Sequence, residues 1–229
     1  MLEIHGVQIS VHTRKVIVAA IEKNLPYRVN PVVPVIPGNP PPHWRTLSPT
    51  GLIPAITDGD FTLADSSAIC AYLDRAHPQH PLYPSEAKAC AQAIWFEQYA
   101  GGTVFRSVVH PLFHEVFVQP FVHKTPADPA KIDAVLTTAV PEVFGYLESV
   151  AGDTFLAGRA VSMADVAVIS NLINFQYIGF ALDAARYPRL SALFERVILT
   201  PSMRQAVRDE QGVVQSMGLT NSCVRPALA

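Results

Sequence analysis

The sequence contains few cysteines and few charged residues. Three cysteines (Cys70, Cys90 and Cys223) occur among 229 residues, and no two of them form a CxxC pair. Their odd number and wide spacing argue against a disulfide framework and against a cysteine zinc site, so we expect no bound metal. The formal net charge of −2 lacks the basic excess that a nucleic-acid-binding surface needs. We therefore expect no nucleic-acid partner.

Long apolar runs are also missing. No stretch approaches the ~20 apolar residues of a membrane-spanning helix, and the first residues lack the basic-then-apolar pattern of a signal peptide. We therefore expect no membrane partner and a reducing, cytoplasmic setting. Hydrophobic residues make up 49% of the chain and charged residues 16%. This composition supplies a packed core for one large domain or two modest ones.

The first third of the chain mixes strand and helix patterns. A short alternating strand at 2–7, an amphipathic helix at 16–21 and a β-branched strand at 27–35 form a βαβ unit, whose two strands should be parallel. A proline-rich loop follows at 35–43. A proline-led strand, the Asp58-Gly59 turn and a helix after Asp65 then complete a βαβ–loop–ββα order. This order predicts a four-stranded mixed sheet with helices.

Strand patterns stop after a proline-rich linker at 77–81, and only helical patterns follow. They lie at 87–97, 103–122, 129–151, 162–180 and 190–208. Pro111 and Pro120 are predicted to kink or end helices. We therefore predict a first domain at 1–78, an all-helical bundle at 86–210 and an irregular, loosely held tail at 211–229.

Several separate motifs resemble those of the cytosolic glutathione S-transferase family, in its serine-type, bacterial or phi-like form. They are the first-helix motif SVHTRKV (10–16), the loop SPTGLIPA (48–55), the box DSSAI (65–69), and FLAG with SMAD (155–158 and 162–165). Their order and spacing cover roughly residues 2–210. The resemblance implies an α+β fold: a thioredoxin-like N-terminal domain (βαβ-ββα) followed by an all-helical domain. It also implies a detoxifying transferase with glutathione as co-substrate, a small hydrophobic electrophile, and a homodimer.

The thiol of glutathione needs activation, because a free thiol of pKa ~8.5 is only a few per cent ionised at neutral pH. A hydroxyl donor at the start of the first helix would favour the thiolate, helped by the helix dipole. The resemblance implies Ser10, four residues before Arg14, with Thr13 second and His12 third. The alternative for Ser10 is an ordinary helix cap. Residues 8–15 contain no cysteine, which disfavours thiol-exchange chemistry.

The resemblance also implies residues that hold the glutathione backbone and its glycyl carboxylate. A cis Ile53–Pro54 bond would present the backbone of Ile53 to the cysteinyl residue, as a strand partner. The alternative is an ordinary trans proline that starts an edge strand. His43 and Arg45 are the candidates for the glycyl carboxylate, and plain solvated loop residues are the alternative.

The γ-glutamyl end of glutathione is expected at the start of the third helix. By resemblance, its carboxylate would accept from the Ser66 hydroxyl and from the N–H groups of Ser66 and Ser67, where the helix dipole favours an anion. Asp65 would bind the amine. Simple capping of the helix by Asp65 or Ser66 is the alternative.

The electrophile is expected between the two domains. Phe105, Val109, His110, Phe113 and Phe117 recur at helical spacing and could line an apolar pocket there. The alternative is that this stripe forms the core of the bundle. We interpret two further features as structural: the Ser162 and Asp165 pair as a helix cap, and Cys70 as a core residue.

The sequence does not decide which reaction the glutathione thiolate carries out. Conjugation, dehalogenation, isomerisation and peroxide reduction all use the same thiolate. A glutathione-dependent isomerase resembling the zeta class is one alternative, although the doubled serine-cysteine start of that class is absent. A non-catalytic ligand carrier on the same fold is another, because fold does not fix function.

Overall fold

The computed structural model describes residues 1–228, which begin with a four-stranded mixed sheet. The first two strands pair in parallel and the others are antiparallel, in the order β2-β1-β3-β4. The strands are β1 (Leu2–Gly6), β2 (Tyr27–Pro31), β3 (Ala55–Asp58) and β4 (Phe61–Ala64). The predicted βαβ unit and hairpin are therefore confirmed. β2 ends earlier than its sequence pattern predicts, at the first of two prolines that lack a backbone donor.

Three helices accompany this sheet: α1 (Val11–Glu22), the short α2 (Trp44–Leu47) and α3 (Ser66–Ala76). α1 is buried along most of its length, including the polar residues Thr13, Arg14 and Lys15. It packs against α3 on one side and against the helical domain on the other. The start of α1 therefore lies where the two domains meet.

The helical domain opens with α4, which is helical without a break over residues 87–123. Ordinary α-helical segments (Ala87–Tyr99 and His110–Phe113) alternate with wider π-helical ones (Ala100–Val109 and His114–His123). Pro111 and Pro120 were predicted to kink or end helices, and neither of them ends one, so that half of the prediction is wrong. Proline lacks the donor for the usual helical bond, and both prolines lie in or between π-helical segments, where the bonding pattern has already changed.

Four more helices build the bundle. They are α5 (129–150), α6 (Met163–Tyr177), α7 (Pro188–Ile198) and α8 (Pro201–Asp209). α6 is buried on almost every side and packs against both α1 and α4. At its start the Asp165 carboxylate accepts from the Ser162 N–H at 2.9 Å, and burial raises the pKa of that carboxyl. The predicted cap is confirmed, and it starts the central helix of the domain.

The prediction of an irregular, loosely held tail is wrong. Beyond α8 the chain forms α9 (Gln211–Ser216), a 3₁₀ turn (Ser222–Val224) and α10 (Arg225–Leu228). Val224 and Ala227 are fully buried against the bundle. Two buried side chains three positions apart are too short a pattern to signal a helix in the sequence. No helix within residues 1–228 is both long and apolar enough to cross a membrane.

Candidate functional site

Ser10 lies at the N-terminus of α1, half-buried at the boundary between the domains. Its Oγ accepts from the Thr13 N–H over a long 3.4 Å and caps the helix. A hydroxyl that accepts still has its own O–H to donate. Capping and donation to a ligand are therefore compatible at Ser10.

Thr13, the second candidate for thiol activation, lies inside the first domain. Its side chain is fully buried, and its Oγ1 has no hydrogen-bond partner within the described chain. The hydroxyl packs so closely on β1 that a Cβ added to Gly6 would lie 2.5 Å from it. This placement closes Thr13 off from a ligand and argues against it as the activating residue.

His12, the third candidate, faces the helical domain. Its ring packs edge-on against the ring of Phe105 in α4, with 4.7 Å between the two ring centroids, and it lies next to Gly101. Burial and, secondarily, the Lys15 ammonium lower the pKa of His12 to about 4. The imidazole is therefore neutral at pH 7 and offers one donor and one acceptor. His110 meets the same Phe105 ring at 5.5 Å.

The five residues predicted for the electrophile pocket separate in the structure. Phe105 and His110 lie with His12 between the domains. Val109 is 2% exposed and belongs to the bundle core, so its assignment to the pocket is wrong. Phe113 and Phe117 stack on each other, and the stack continues away from His12 to the exposed Phe121.

The loop before β3 carries the cis Ile53–Pro54 bond that the resemblance implies. The loop is fixed by two hydrogen bonds, from the Ser48 hydroxyl to the Leu52 carbonyl at 2.6 Å and from the Trp44 indole to the Gly51 carbonyl at 2.9 Å. The half-buried Ile53 makes no backbone hydrogen bond to any described residue. Its N–H and C=O are thus available to an extended ligand backbone.

His43 and Arg45 both lie exposed beside this loop. Arg45 donates to the Pro49 carbonyl at 3.2 Å, and its guanidinium covers Gly51. Gly51 has φ +77°, and a Cβ there would lie 3.2 Å from Arg45, so both conformation and space favour glycine. Arg45 is held near the loop, whereas His43 makes no side-chain hydrogen bond as it precedes α2.

Asp65 caps α3 from a left-handed conformation, with φ +78°. Its Oδ1 accepts from the N–H groups of Ser67 and Ala68 at 2.9 and 3.1 Å. The prediction that the Ser67 N–H serves the ligand is therefore wrong, because Asp65 already takes it. The Ser66 N–H and the second oxygen of Asp65 have no partner among residues 1–228, and they remain open to a ligand.

Lys15 contacts the two serines and was not predicted from the sequence. Its Nζ donates to the hydroxyls of Ser66 and Ser67, each at 3.1 Å, and lies 2.7 Å from Glu97 Oε1. Lys15 and Glu97 are 3% and 2% exposed, and the second Glu97 oxygen accepts from the Tyr83 hydroxyl at 2.7 Å. No local pattern marks these residues as partners, since Glu97 lies on the other domain. Cys70 is fully buried nearby, as predicted.

Nowhere in residues 1–228 are three or more His, Cys, Asp or Glu side chains arranged as a metal site. The site offers instead a free strand-like backbone at Ile53, a carboxylate with hydroxyl donors at α3, and a hydroxyl at α1. Together these groups suit an extended, charged ligand that offers a hydrogen-bond acceptor to Ser10.

Two family models match the chain. The model described as "Glutathione S-transferase, N-terminal domain" matches residues 4–81, and "Glutathione S-transferase, C-terminal domain" matches residues 111–205. Together they cover about three quarters of the chain. The first match contains Ser10 and the α3 site, and the second covers most of the bundle.

Named proteins give the same result. The chain is 26% identical over 211 residues to a glutathione S-transferase of Triticum aestivum, which covers 91% of this chain and 93% of the relative. It is 27% identical to a zeta-class glutathione S-transferase of Euphorbia esula, over 74% of this chain and 73% of the relative. A crystal structure of a glutathione S-transferase from Sinorhizobium meliloti 1021 matches with a TM-score of 0.85, 19% identity and 98% of both chains. That last match establishes the fold.

Proposed function

The chain belongs to the glutathione S-transferase family, and from this premise we propose that it transfers glutathione to a small hydrophobic electrophile, with Ser10 activating the thiol. The observation that carries the proposal is that three separate segments of the first domain each leave hydrogen-bonding groups free for a ligand. They are the N-terminus of α1, the free backbone of Ile53 and the N-terminus of α3. Each segment matches a different part of an extended tripeptide.

Glutathione would bind along the edge of the first domain. The cysteinyl backbone would pair with the N–H and C=O of Ile53, next to Pro54. The γ-glutamyl amine would bind the free oxygen of Asp65, and its carboxylate would accept from the Ser66 N–H and the serine hydroxyls. Arg45 is the better candidate of the two for the glycyl carboxylate, because the loop already holds it in place.

Ser10 would donate its hydroxyl to the thiolate. This hydrogen bond stabilises the ionised form, and the positive end of α1 adds to it. The supporting geometry is that the O–H of Ser10 is free while its oxygen caps the helix. The thiolate then attacks the electrophile and forms a carbon–sulfur bond as the leaving group departs.

The electrophile would lie against Phe105 and His110 of α4, next to His12. All three are aromatic rings, and His12 is uncharged at neutral pH because burial lowers its pKa to about 4. Such a surface favours an apolar or aromatic substrate.

Retention on immobilised glutathione, followed by turnover of a general aryl halide, tests this proposal. Ser10→Ala should retain binding and lose most turnover. Thr13→Val is the matched control: it removes a buried, unpartnered hydroxyl from the same helical turn and should keep full activity. A wild-type chain that fails to bind glutathione contradicts the proposal. Binding without turnover of any electrophile points instead to a ligand carrier.

A glutathione-dependent isomerase is the second candidate, since one relative is named as zeta class. The two reactions differ in whether they consume the thiol of glutathione. Conjugation consumes the free thiol, whereas isomerisation returns it. A thiol titration before and after turnover therefore separates them. The two-fold dimer and the cytoplasmic setting stay predictions, and light scattering at micromolar concentration tests the dimer.

A further inference from the structure

Lys15 contacts the two serines that the proposed function assigns to glutathione, yet it is closed off from solvent. Its ammonium carries three N–H donors. It donates to Ser66 Oγ and to Ser67 Oγ, and it lies 2.7 Å from Glu97 Oε1 as a buried ion pair. Lys15 is only 3% exposed among these three oxygens, so it acts on a ligand through these partners and not by direct contact.

The hydrogen bonds that the Ser66 and Ser67 hydroxyls accept determine whether each hydroxyl proton is free to donate to a ligand. Ser67 Oγ accepts from Lys15 and also from the Gln98 side chain at 3.3 Å, so both of its lone pairs are used. Ser66 Oγ accepts from Lys15, and a lysine ammonium cannot accept in return. Neither O–H donates to any residue in the described part of the chain. Each hydroxyl proton must therefore point away from Lys15, where it is free to donate.

Two free O–H donors beside the unpaired Ser66 N–H form a set that matches a carboxylate, which only accepts hydrogen bonds. Glu97 balances the charge of Lys15, and the Tyr83 hydroxyl holds Glu97 in place. The ligand carboxylate would thus meet oriented dipoles and not an unpaired buried cation. The helical domain supplies Glu97 and Gln98, so both domains take part in setting these donors.

We propose that Lys15 is a positioning residue for glutathione, which orients the Ser66 and Ser67 hydroxyls toward the γ-glutamyl carboxylate. This inference rests on the proposed function, because it takes glutathione as the ligand of that site. It goes further in assigning selectivity for the carboxylate to a residue that never touches the ligand.

Calorimetry with two ligands tests the inference: glutathione and its analogue with a 4-aminobutyryl group in place of γ-glutamate, which lacks only that carboxylate. Wild-type protein should bind glutathione about 30-fold more tightly than the analogue. Lys15→Met should weaken glutathione binding by about tenfold or more and analogue binding by less than about threefold. The inference is wrong if Lys15→Met weakens the binding of both ligands equally, or if it leaves the binding of glutathione unchanged.

Lys23→Met is the matched control. Lys23 is a second buried lysine, directly after the last residue of α1 and about two helical turns from Lys15, and it pairs with Asp74 at 2.7 Å. Its loss should lower stability and leave the ratio of the two affinities unchanged. A purely structural role for Lys15 predicts the same outcome for both variants.

Two further variants keep the test decisive if Lys15→Met does not fold. Lys15→Met with Glu97→Gln removes both charges and should show the same loss of preference for glutathione. Ser66→Ala with Ser67→Ala leaves Lys15 in place and should abolish the preference; if it persists, the inference is wrong. Wild-type protein that binds neither ligand contradicts the proposed function as well. Equal binding of both ligands overturns only the role of Lys15.

Discussion

The Arg14 Nε lies 2.9 Å from Glu210 Oε2, and its Nη2 lies 3.0 Å from the other oxygen of the same carboxylate. Both side chains are fully buried. Arg14 also donates to the Ser170 carbonyl and to Asn174, and Tyr177 donates to Glu210 at 2.7 Å. This pair joins α1 of the first domain to the end of α8, and so holds the Ser10 turn against the helical domain.

Glu210→Ala should lower the free energy of unfolding by about 3–5 kcal/mol, because it leaves the Arg14 charge buried without its partner. Urea unfolding measures the effect. The control is Glu3→Ala, which breaks a largely exposed pair with Arg28 and should cost less than about 1 kcal/mol. Similar losses in the two variants would show that the buried pair does not fix the domains.

Asp65→Asn should weaken glutathione binding by about tenfold, because it removes the charge that pairs with the ligand ammonium. The amide oxygen can still accept from Ser67 and Ala68, so α3 should stay capped. Glu86→Gln is the control at another helix start, where Glu86 accepts from the N–H groups of Lys88 and Ala89. Calorimetry should show unchanged affinity there; an equal loss in both variants argues against a binding role for Asp65.

Phe105→Ala should raise KM for an apolar electrophile by about tenfold and leave the Kd for glutathione unchanged, since the ring supplies apolar surface to one substrate only. Steady-state kinetics with an aryl halide measures both constants. Phe121→Ala removes the same ring from the exposed end of the α4 stack and should change neither. If Phe121 matters and Phe105 does not, the pocket lies farther along α4.

The stability of the folded chain should fall as pH drops from 6.5 toward 4. Burial lowers the pKa of His12 from 6.5 to about 4, so the unfolded chain binds this proton more readily between those values. The stability due to neutral His12 is complete above pH 6.5 and decreases by about 3 kcal/mol toward pH 4.

Urea unfolding at pH 7 and pH 4.5 tests this behaviour. His12→Gln should lose less stability between the two pH values than the wild type, while His43→Gln, on an exposed loop, should lose as much. An unchanged loss in His12→Gln would mean that other groups cause the pH dependence.

Features that depend on neighbouring residues were predictable from the sequence. The turn that the Asp58-Gly59 pair predicts, formed by Gly59 and Asp60, and the Ser162–Asp165 cap follow from side chains and backbone groups at most three positions apart. The βαβ order similarly limits the sheet to few topologies. The sheet, the two domains and the buried Cys70 were therefore predicted correctly.

Features that depend on distant partners were not predictable. The spacing of four residues between Ser10 and Arg14 identified a sequence motif. No residue near Arg14 indicates its partner Glu210, which lies 196 positions away. Lys15 and Glu97 likewise come from different domains. The prediction that residues 105–117 line one face of a helix assumes 3.6 residues per turn. The π-helical turns in α4 change that period. Val109 is buried in the core, whereas Phe105 contacts His12, so the spacing alone did not separate core residues from residues between the domains.

The ionisation of bound glutathione tests the central claim most directly. Thiolate absorbance of the complex, followed against pH, gives the pKa of the bound thiol in wild type, Ser10→Ala and Thr13→Val. Ser10 activation predicts a thiol pKa at least about one unit below the free value of ~8.5 in wild type and Thr13→Val, with a return toward ~8.5 in Ser10→Ala. An unshifted pKa in wild type, or an equal shift in Ser10→Ala, would contradict it.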